Sequence, residues 1–522
     1  MLKRTTFFYL LLVFVWVGCG SDSEEIPTDD DIQLDNTPPT IQAPETPNVI
    51  QVLTDLYFTI QDDSNELVNR ILLDGEEIFS STAKSFNFQI NPFDYSSGPK
   101  NLKIVSVDDS GNESTVEISF ELKKLLVRIP NPSRGTEAEV AEDYYAINDL
   151  TGKLLAYKKV EMEEVLDFFA DDSFSHQNIT LTRYTIGKSP QSFQFFSSVS
   201  DIPPGTILPT DEERGTAREQ PGTNSDNNIE ILVESTHLPV VHSHNAILQS
   251  FSGFSGSYRI LYNNSLQNGQ SEVLFSFPTT EVTAISEYEY LLINDFDKSS
   301  YELAEFKKPN SFVKMEIPEN TGSYYLSING FYDESDYQNY KYRRIFENGD
   351  EISMLTENAL EVPVLEEFEV FQRQLSITEG KKRFQTSQKG IAIDFFIPDF
   401  DISRTDDLLN FSGDYDYSEF FFDKVSLNGD GSINQFFWRF KNRPTTSALR
   451  IPYYDFELPM EINEELSMKS LSANPNEIEP DSFSCQSFKF DATGSYEDIV
   501  FFTKEFADGP RGDEYILNLD LK

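Results

Sequence analysis

Cysteine is almost absent. Cys19 and Cys485 are the only two in 522 residues, which excludes a disulfide framework and any zinc site built on thiolates. Basic residues are scarce: 41 Lys and Arg face 88 Asp and Glu, a net charge of −47. Binding a polyphosphate backbone needs a basic footprint, so no nucleic-acid partner is expected. Histidine occurs four times and tryptophan twice. No stretch after the first 20 residues is long and apolar enough to span a bilayer. Aromatic residues, by contrast, make up 13% of the chain, enough to fill real cores and to exclude global disorder.

Short motifs for chemistry are also missing. There is no Gly-x-Ser-x-Gly elbow, no phosphate-cradling Gly-rich loop and no His-Glu-x-x-His. With 88 carboxylates, a catalytic pair cannot be picked out, because its separation is not readable from sequence. No catalytic residue is therefore assigned.

The N-terminus carries the most specific signal. Lys3 and Arg4 precede the apolar run Phe7 to Val17, which ends in Trp16-Val17-Gly18-Cys19. A run this short fits a signal peptide and not a spanning helix. It resembles a bacterial lipoprotein signal, which implies cleavage before Cys19 and a lipid on its thiol. The acidic stretch Ser21-Asp22-Ser23-Glu24-Glu25 resembles the export tag of Bacteroidetes lipoproteins. That resemblance implies the outer face of the outer membrane, with the lipid anchor as the membrane contact.

Residues 19–36 read as an acidic flexible tether. Residues 37–123 alternate apolar and polar positions (Leu56, Phe58, Ile60; Phe86, Phe88, Ile90; Val116, Ile118, Phe120), with turn chemistry at Asp74-Gly75 and Asp109-Ser110-Gly111-Asn112. About seven short strands in this span suit a small β-sandwich. Its opening Asn36-Thr37-Pro38-Pro39-Thr40-Ile41 and closing Val107 to Glu113 resemble the ends of bacterial immunoglobulin-like domains, which implies a spacer role.

The remaining 400 residues also read as β, with Val160 to Phe169 the best helical candidate. Tyr145-Ala146-Ile147-Asn148-Asp149 recurs as Leu291-Leu292-Ile293-Asn294-Asp295, and Ile179 to Thr182 matches Tyr325 to Ile328. This spacing of about 146 residues suggests a repeat. The expected organisation is all-β: an immunoglobulin-like sandwich at 37–123, then β-sandwich copies at 124–270 and 271–404. A β region at 405–522 follows.

Four candidate sites emerge. His242 and His244 share one face of a strand, and with His237 could hold a divalent metal. Val240-Val241-His242-Ser243-His244 superficially resembles the strand end of metal-dependent amidohydrolases, but the barrel and later ligands of that family are lacking. Asn428-Gly429-Asp430-Gly431-Ser432 resembles the centre of a calcium loop, and equally a hairpin turn. Asp62-Asp63 with Asp108-Asp109 could also converge on calcium. Tyr337, Tyr340, Tyr415, Tyr417 and Trp438 are candidate ligand-binding aromatics.

The layout of lipid, tether, spacer and sandwiches resembles surface glycan-binding lipoproteins. Three functions stay open: a non-catalytic binding or adhesion module for a glycan or protein, a structural accessory subunit of an outer-membrane complex, and a β-sandwich hydrolase. No cofactor is expected apart from calcium.

Overall fold

A computed structural model describes residues 35–64, 66–130, 132, 141–161, 165–187, 192–210, 213, 228–234, 240–244, 246–254, 257–264, 272–277, 288–293, 300–301, 303–316, 323–339, 342–347, 359–391, 399–405, 408–427, 433–443, 448–450, 457–462, 482–490, 495–501 and 513–521. The fold is all-β, with short helices such as Glu334–Gln338 and Tyr496–Phe501. None of the helices among the described residues is long and apolar enough to cross a membrane. Two compact units are distinguished. One comprises residues up to 48 with 54–90 and 99–120; the other comprises 49–53, 91–98 and 121–522.

The first unit follows from period-two patterning. Leu56, Phe58 and Ile60 are buried on strand Thr54–Gln61, while Tyr57 between them is 59% exposed. That strand pairs with Thr40–Gln42 and Ser85–Ile90 in one sheet. A second sheet runs in the order Glu113–Leu122, Gly98–Asp108, Leu67–Leu73, Glu76–Ser81. The hairpin between its last two strands turns at Asp74 (φ 51°) and Gly75 (φ 91°). Positive φ at both central residues is the turn that matches strand twist, hence the Asp-Gly pair. The chain therefore crosses from the first sheet to a hairpin in the second, returns for Ser85–Ile90, and crosses again. That connectivity is immunoglobulin-like.

The same connectivity recurs three times in the second unit. In each case an opening strand is followed by a hairpin in the opposite sheet. A return strand then pairs with the opener, and two further strands complete the hairpin's sheet. The first copy opens with Leu125–Ile129, whose return strand is Leu166–Phe169. Its other sheet runs Ser192–Ile202, Ile179–Gly187, Ala141–Asp149, Leu154–Lys159. The second copy pairs Ser311–Glu316 with Ala359–Val364 and orders Lys382–Lys389, Val370–Glu379, Ser323–Phe331, Arg343–Glu347. The third pairs Leu408–Gly413 with Ala448–Arg450 and orders Glu514–Asp520, Ser482–Phe490, Tyr417–Leu427, Ile433–Asn442. Here Phe400–Thr405 adds to the opener, as Thr40–Gln42 does in the first unit. Gly413, ending the opener, has no room for a side chain: a Cβ would fall 1.7 Å from the Asp399 carbonyl oxygen.

The connectivity thus repeats with a different offset from the 146-residue recurrence. Ile147-Asn148 and Ile328-Asn329 hold the same place at the end of the first hairpin strand, and both asparagines are fully buried. Leu291-Leu292-Ile293 instead lies in a separate three-stranded sheet with Val240–His244 and Glu272–Phe277. Residues 160–169, the helical candidate, end in the strand Leu166–Phe169. Leu166 and Phe168 on one face of it are buried, so its period is two.

The three four-stranded sheets of these copies join edge to edge into one sheet of twelve strands. At the first seam Ser192–Val199 run parallel to Asn434–Lys441. Phe196 packs edge-on against Phe436 (4.9 Å) and Trp438 (5.8 Å). The Trp438 indole N–H donates to Ser198 Oγ (2.9 Å), which also meets Thr182 Oγ1 at 2.8 Å. Ser200 Oγ donates to Asn442 Oδ1, and the Tyr496 hydroxyl donates to the Ser200 carbonyl. At the second seam Lys382–Ser387 run antiparallel to Glu514–Leu519. Arg373 Nε donates to Gln388 Oε1, and Gln388 Nε2 to the Tyr515 hydroxyl.

Where the second unit begins, Asp172 accepts from the Ser97 amide and hydroxyl (both 2.9 Å) and meets the buried Lys124 ammonium at 3.0 Å. The Ser97 amide bond, then Lys124, hold its carboxyl down at about 2. A depressed carboxyl stabilises the fold above its unfolded value of 3.8 and loses that contribution as pH falls towards 2. Asp172→Asn should therefore melt below the wild type at pH 7, with the gap closing by pH 2; a pH-independent gap in thermal melts would contradict this. Ser198→Ala leaves the Trp438 N–H and the Thr182 hydroxyl without their shared partner. It should cost about 1–3 kcal/mol, read by urea unfolding of residues 35–522 with Trp438 as the single tryptophan reporter.

Candidate functional site

The candidate aromatics lie mostly in the interior. Trp438 is 2% exposed and Tyr417 is 7% exposed, both within hydrophobic clusters. Tyr417 stacks on Phe488 (4.5 Å, 8°), and burial pushes its hydroxyl far above the usual range. Tyr337 is fully buried against Phe331. Tyr415 is half-buried, stacked on Phe411. Trp438 faces the core from its strand, Tyr337 is buried from the short helix Glu334–Gln338, and Tyr417 is covered by Tyr496 and Val500 of the helix Tyr496–Phe501. Tyr340 lies outside the described residues, as do Cys19 and His237. His242 and His244 stand on the strand Val240–His244, opposite Leu274 and Glu272.

Cys485 sits in the core of the third copy, and burial drives its thiol well above the usual range. A thiol held protonated in this way is a packing group and not a nucleophile. Residues 428–432 lie outside the described residues, but their flanks pair as a hairpin with Leu427 opposite Ile433.

For cations, the carboxylates of Asp35, Asp62 and Asp63 present ligand atoms within 4.8 Å of one another. Asp35 and Asp62 also accept from the amides of Thr37 and Ser64 (2.8 Å each), which fixes their local turns. Asp108 serves its own turn. Burial raises its carboxyl, but bonds from Asn112, Ser110 and Gly111 outweigh this and hold it below the ordinary range.

The outward face of the twelve-stranded sheet differs from end to end. In the third copy Tyr417, Phe488 and Phe490 stack together, and Tyr496 and Val500 of the helix pack with them. Beside them Arg439 pairs with Glu419, which is almost completely buried, and lies 5.5 Å from the Phe421 ring. Burial lowers the pKa of neighbouring Lys441, whose Nζ donates to the Val500 carbonyl.

Across the second seam the same face is polar and concave. A cleft of about 230 Å³ is lined by Tyr325, Gln374, Ser376, Arg383, Gln385, Ser387, Glu514 and Ile516, with Leu375 and Thr386. Four strands supply it: Ser323–Phe331, Val370–Glu379 and Lys382–Lys389 of the second copy, and Glu514–Asp520 of the third. Register aligns Tyr325 with Ser376, Ser376 with Gln385, and Gln385 with Ile516 in one row. Arg383 Nε donates to Ser376 Oγ at 2.7 Å, and Ser327 Oγ to Gln374 Oε1 at 3.2 Å. The walls are thus side chains held in place by their own neighbours.

Glu514 is the single carboxylate among the lining residues. Hydrolysis by two carboxylates needs a second one about 5–9.5 Å away. What the cleft offers is recognition chemistry: amides, hydroxyls, one guanidinium and one phenol ring. Sequence reading missed it because Arg383, Gln385 and Ser387 carry no motif. The one usable sign was the strand Lys382–Lys389, whose outward positions are polar throughout.

No protein-family model and no curated protein matches the chain. Among solved structures, the chain is similar to the fibronectin(III)-like modules of Clostridium thermocellum CbhA. That likeness has 12% identity, 35% of this chain and 100% of that chain covered, and a TM-score of 0.15. It is similar as well to SGBP-B of the Bacteroides ovatus mixed-linkage glucan utilization locus, solved with a mixed-linkage heptasaccharide. The figures there are 12% identity, 64% and 93% coverage, and a TM-score of 0.15. A 1.5-MDa bacterial ice-binding adhesin matches at 10% identity, with 47% and 94% coverage and a TM-score of 0.16.

Proposed function

We propose that this chain is a lipid-anchored protein of the bacterial outer surface whose joined immunoglobulin-like copies act as a non-catalytic binding or adhesion body. The Gly18-Cys19 signal and the acidic tether support the anchoring and the outward placement. The observation that carries the binding role is the cleft at the second seam, assembled from two copies and lined by recognition groups with one carboxylate. Joining copies through strand pairing makes such a site rigid, which lowers the ordering cost of binding. A body raised on a tether needs no catalytic group to hold a ligand at the surface.

The test is a binding screen of residues 35–522 against immobilised glycans and outer-membrane protein fractions, run with calcium and with chelator. The expected result is saturable binding to one ligand class that falls at least tenfold in the double variant Arg383→Ala/Gln385→Ala. Binding that the double variant leaves intact, or none in any arm, would overturn the assignment to this cleft.

A further inference from the structure

We infer that the ligand of the cleft is an uncharged saccharide, held about one ring deep. This rests on the reading of the cleft as the binding site. The first argument is what the backbone can still offer. Peptides added to sheets are held by main-chain hydrogen bonds at an open edge. Here Val370–Glu379 and Lys382–Lys389 are each paired on both sides, so their ladders are already spent. Only side chains remain to make contact.

The spacing of those side chains is the second argument. Same-face positions lie about 6.8 Å apart along a strand and about 4.8 Å apart across strands. Gln374, Ser376, Arg383, Gln385 and Ser387 form such a lattice of short donors and acceptors. Side chains at that pitch can converge on separate hydroxyls of one pyranose, while the Tyr325 ring gives an apolar surface for its C–H face. A volume of about 230 Å³ has room for one ring and not for a globular partner's side-chain cluster.

Charge is the third. The cleft holds one guanidinium and one carboxylate, in a chain of net charge −47. The surrounding field disfavours uronates and sulfated glycans, and a single Arg is too little to offset it. A cationic ligand would want carboxylates in the lattice, where neutral amides stand instead.

Calorimetric titration of residues 35–522 tests this with two sets of probes: cello-, malto-, manno- and xylo-tetraose against tetragalacturonate and a chondroitin sulfate tetrasaccharide. The expected result is binding of a neutral tetraose that changes less than twofold between 0.05 and 0.5 M NaCl. It should weaken at least tenfold in Gln385→Ala and in Tyr325→Ala, and less in Gln385→Asn, which keeps the amide. Unchanged melting temperatures would show that these variants fold. An acidic probe bound through the same residues with steep salt dependence would overturn the saccharide class while sparing the cleft. A neutral probe whose binding ignores all three variants would overturn the cleft itself. Silence from every probe in the wild type would overturn the saccharide inference.

Discussion

Strand pairing between copies, above all the parallel ladder of Ser192–Val199 with Asn434–Lys441, is the constraint from which the second unit takes its form. A four-stranded sheet has two edges, and each edge exposes a row of unpaired amides and carbonyls. Joining three such sheets buries four of those edges and, among the described residues, leaves two, Leu154–Lys159 and Arg343–Glu347. The first of these ends in exposed Lys158 and Lys159, charges that discourage a further strand. Parallel pairing is slightly weaker per residue than antiparallel. The seam compensates with side chains: Phe196 between Phe436 and Trp438, and the ladder through Thr182, Ser198, Ser200 and Asn442.

The second seam has a different consequence. Antiparallel pairing of Lys382–Ser387 with Glu514–Leu519 sets the outward faces of two copies side by side. On one side aromatic rings and the helix Tyr496–Phe501 fill the surface; on the other, amides and hydroxyls leave it open. The cleft needs Glu514 and Ile516 as much as Arg383 and Gln385, so it exists only where the copies are joined. The proposed binding site is thereby tied to the same ladder that joins the sheet.

Much of the fold was legible in sequence where one face of a strand is apolar. Leu56, Phe58 and Ile60 announce their strand, and Asp74-Gly75 announces its hairpin. The copies were harder to find because repetition resides in connectivity and not in residues. Ile147-Asn148 and Ile328-Asn329 hold matching places in two copies, whereas Leu291-Leu292-Ile293 lies in another sheet. The site was hardest. Trp438 and Tyr417 drew attention as aromatics but are buried, the one in the core and the other beneath the helix Tyr496–Phe501, and Gln385 is unremarkable until strand pairing sets Ile516 beside it.

Hydrogen exchange of residues 35–522, resolved by peptide, tests the joined sheet most directly. Amides of 193–199 and 435–441 should be protected as strongly as those of the central strands Ile179–Gly187 and Tyr417–Leu427, because opening the seam would require the copies to come apart. Exchange at the seam as fast as at the outer strand Leu154–Lys159 would contradict the joined sheet, and with it the origin of the cleft in the pairing of two copies.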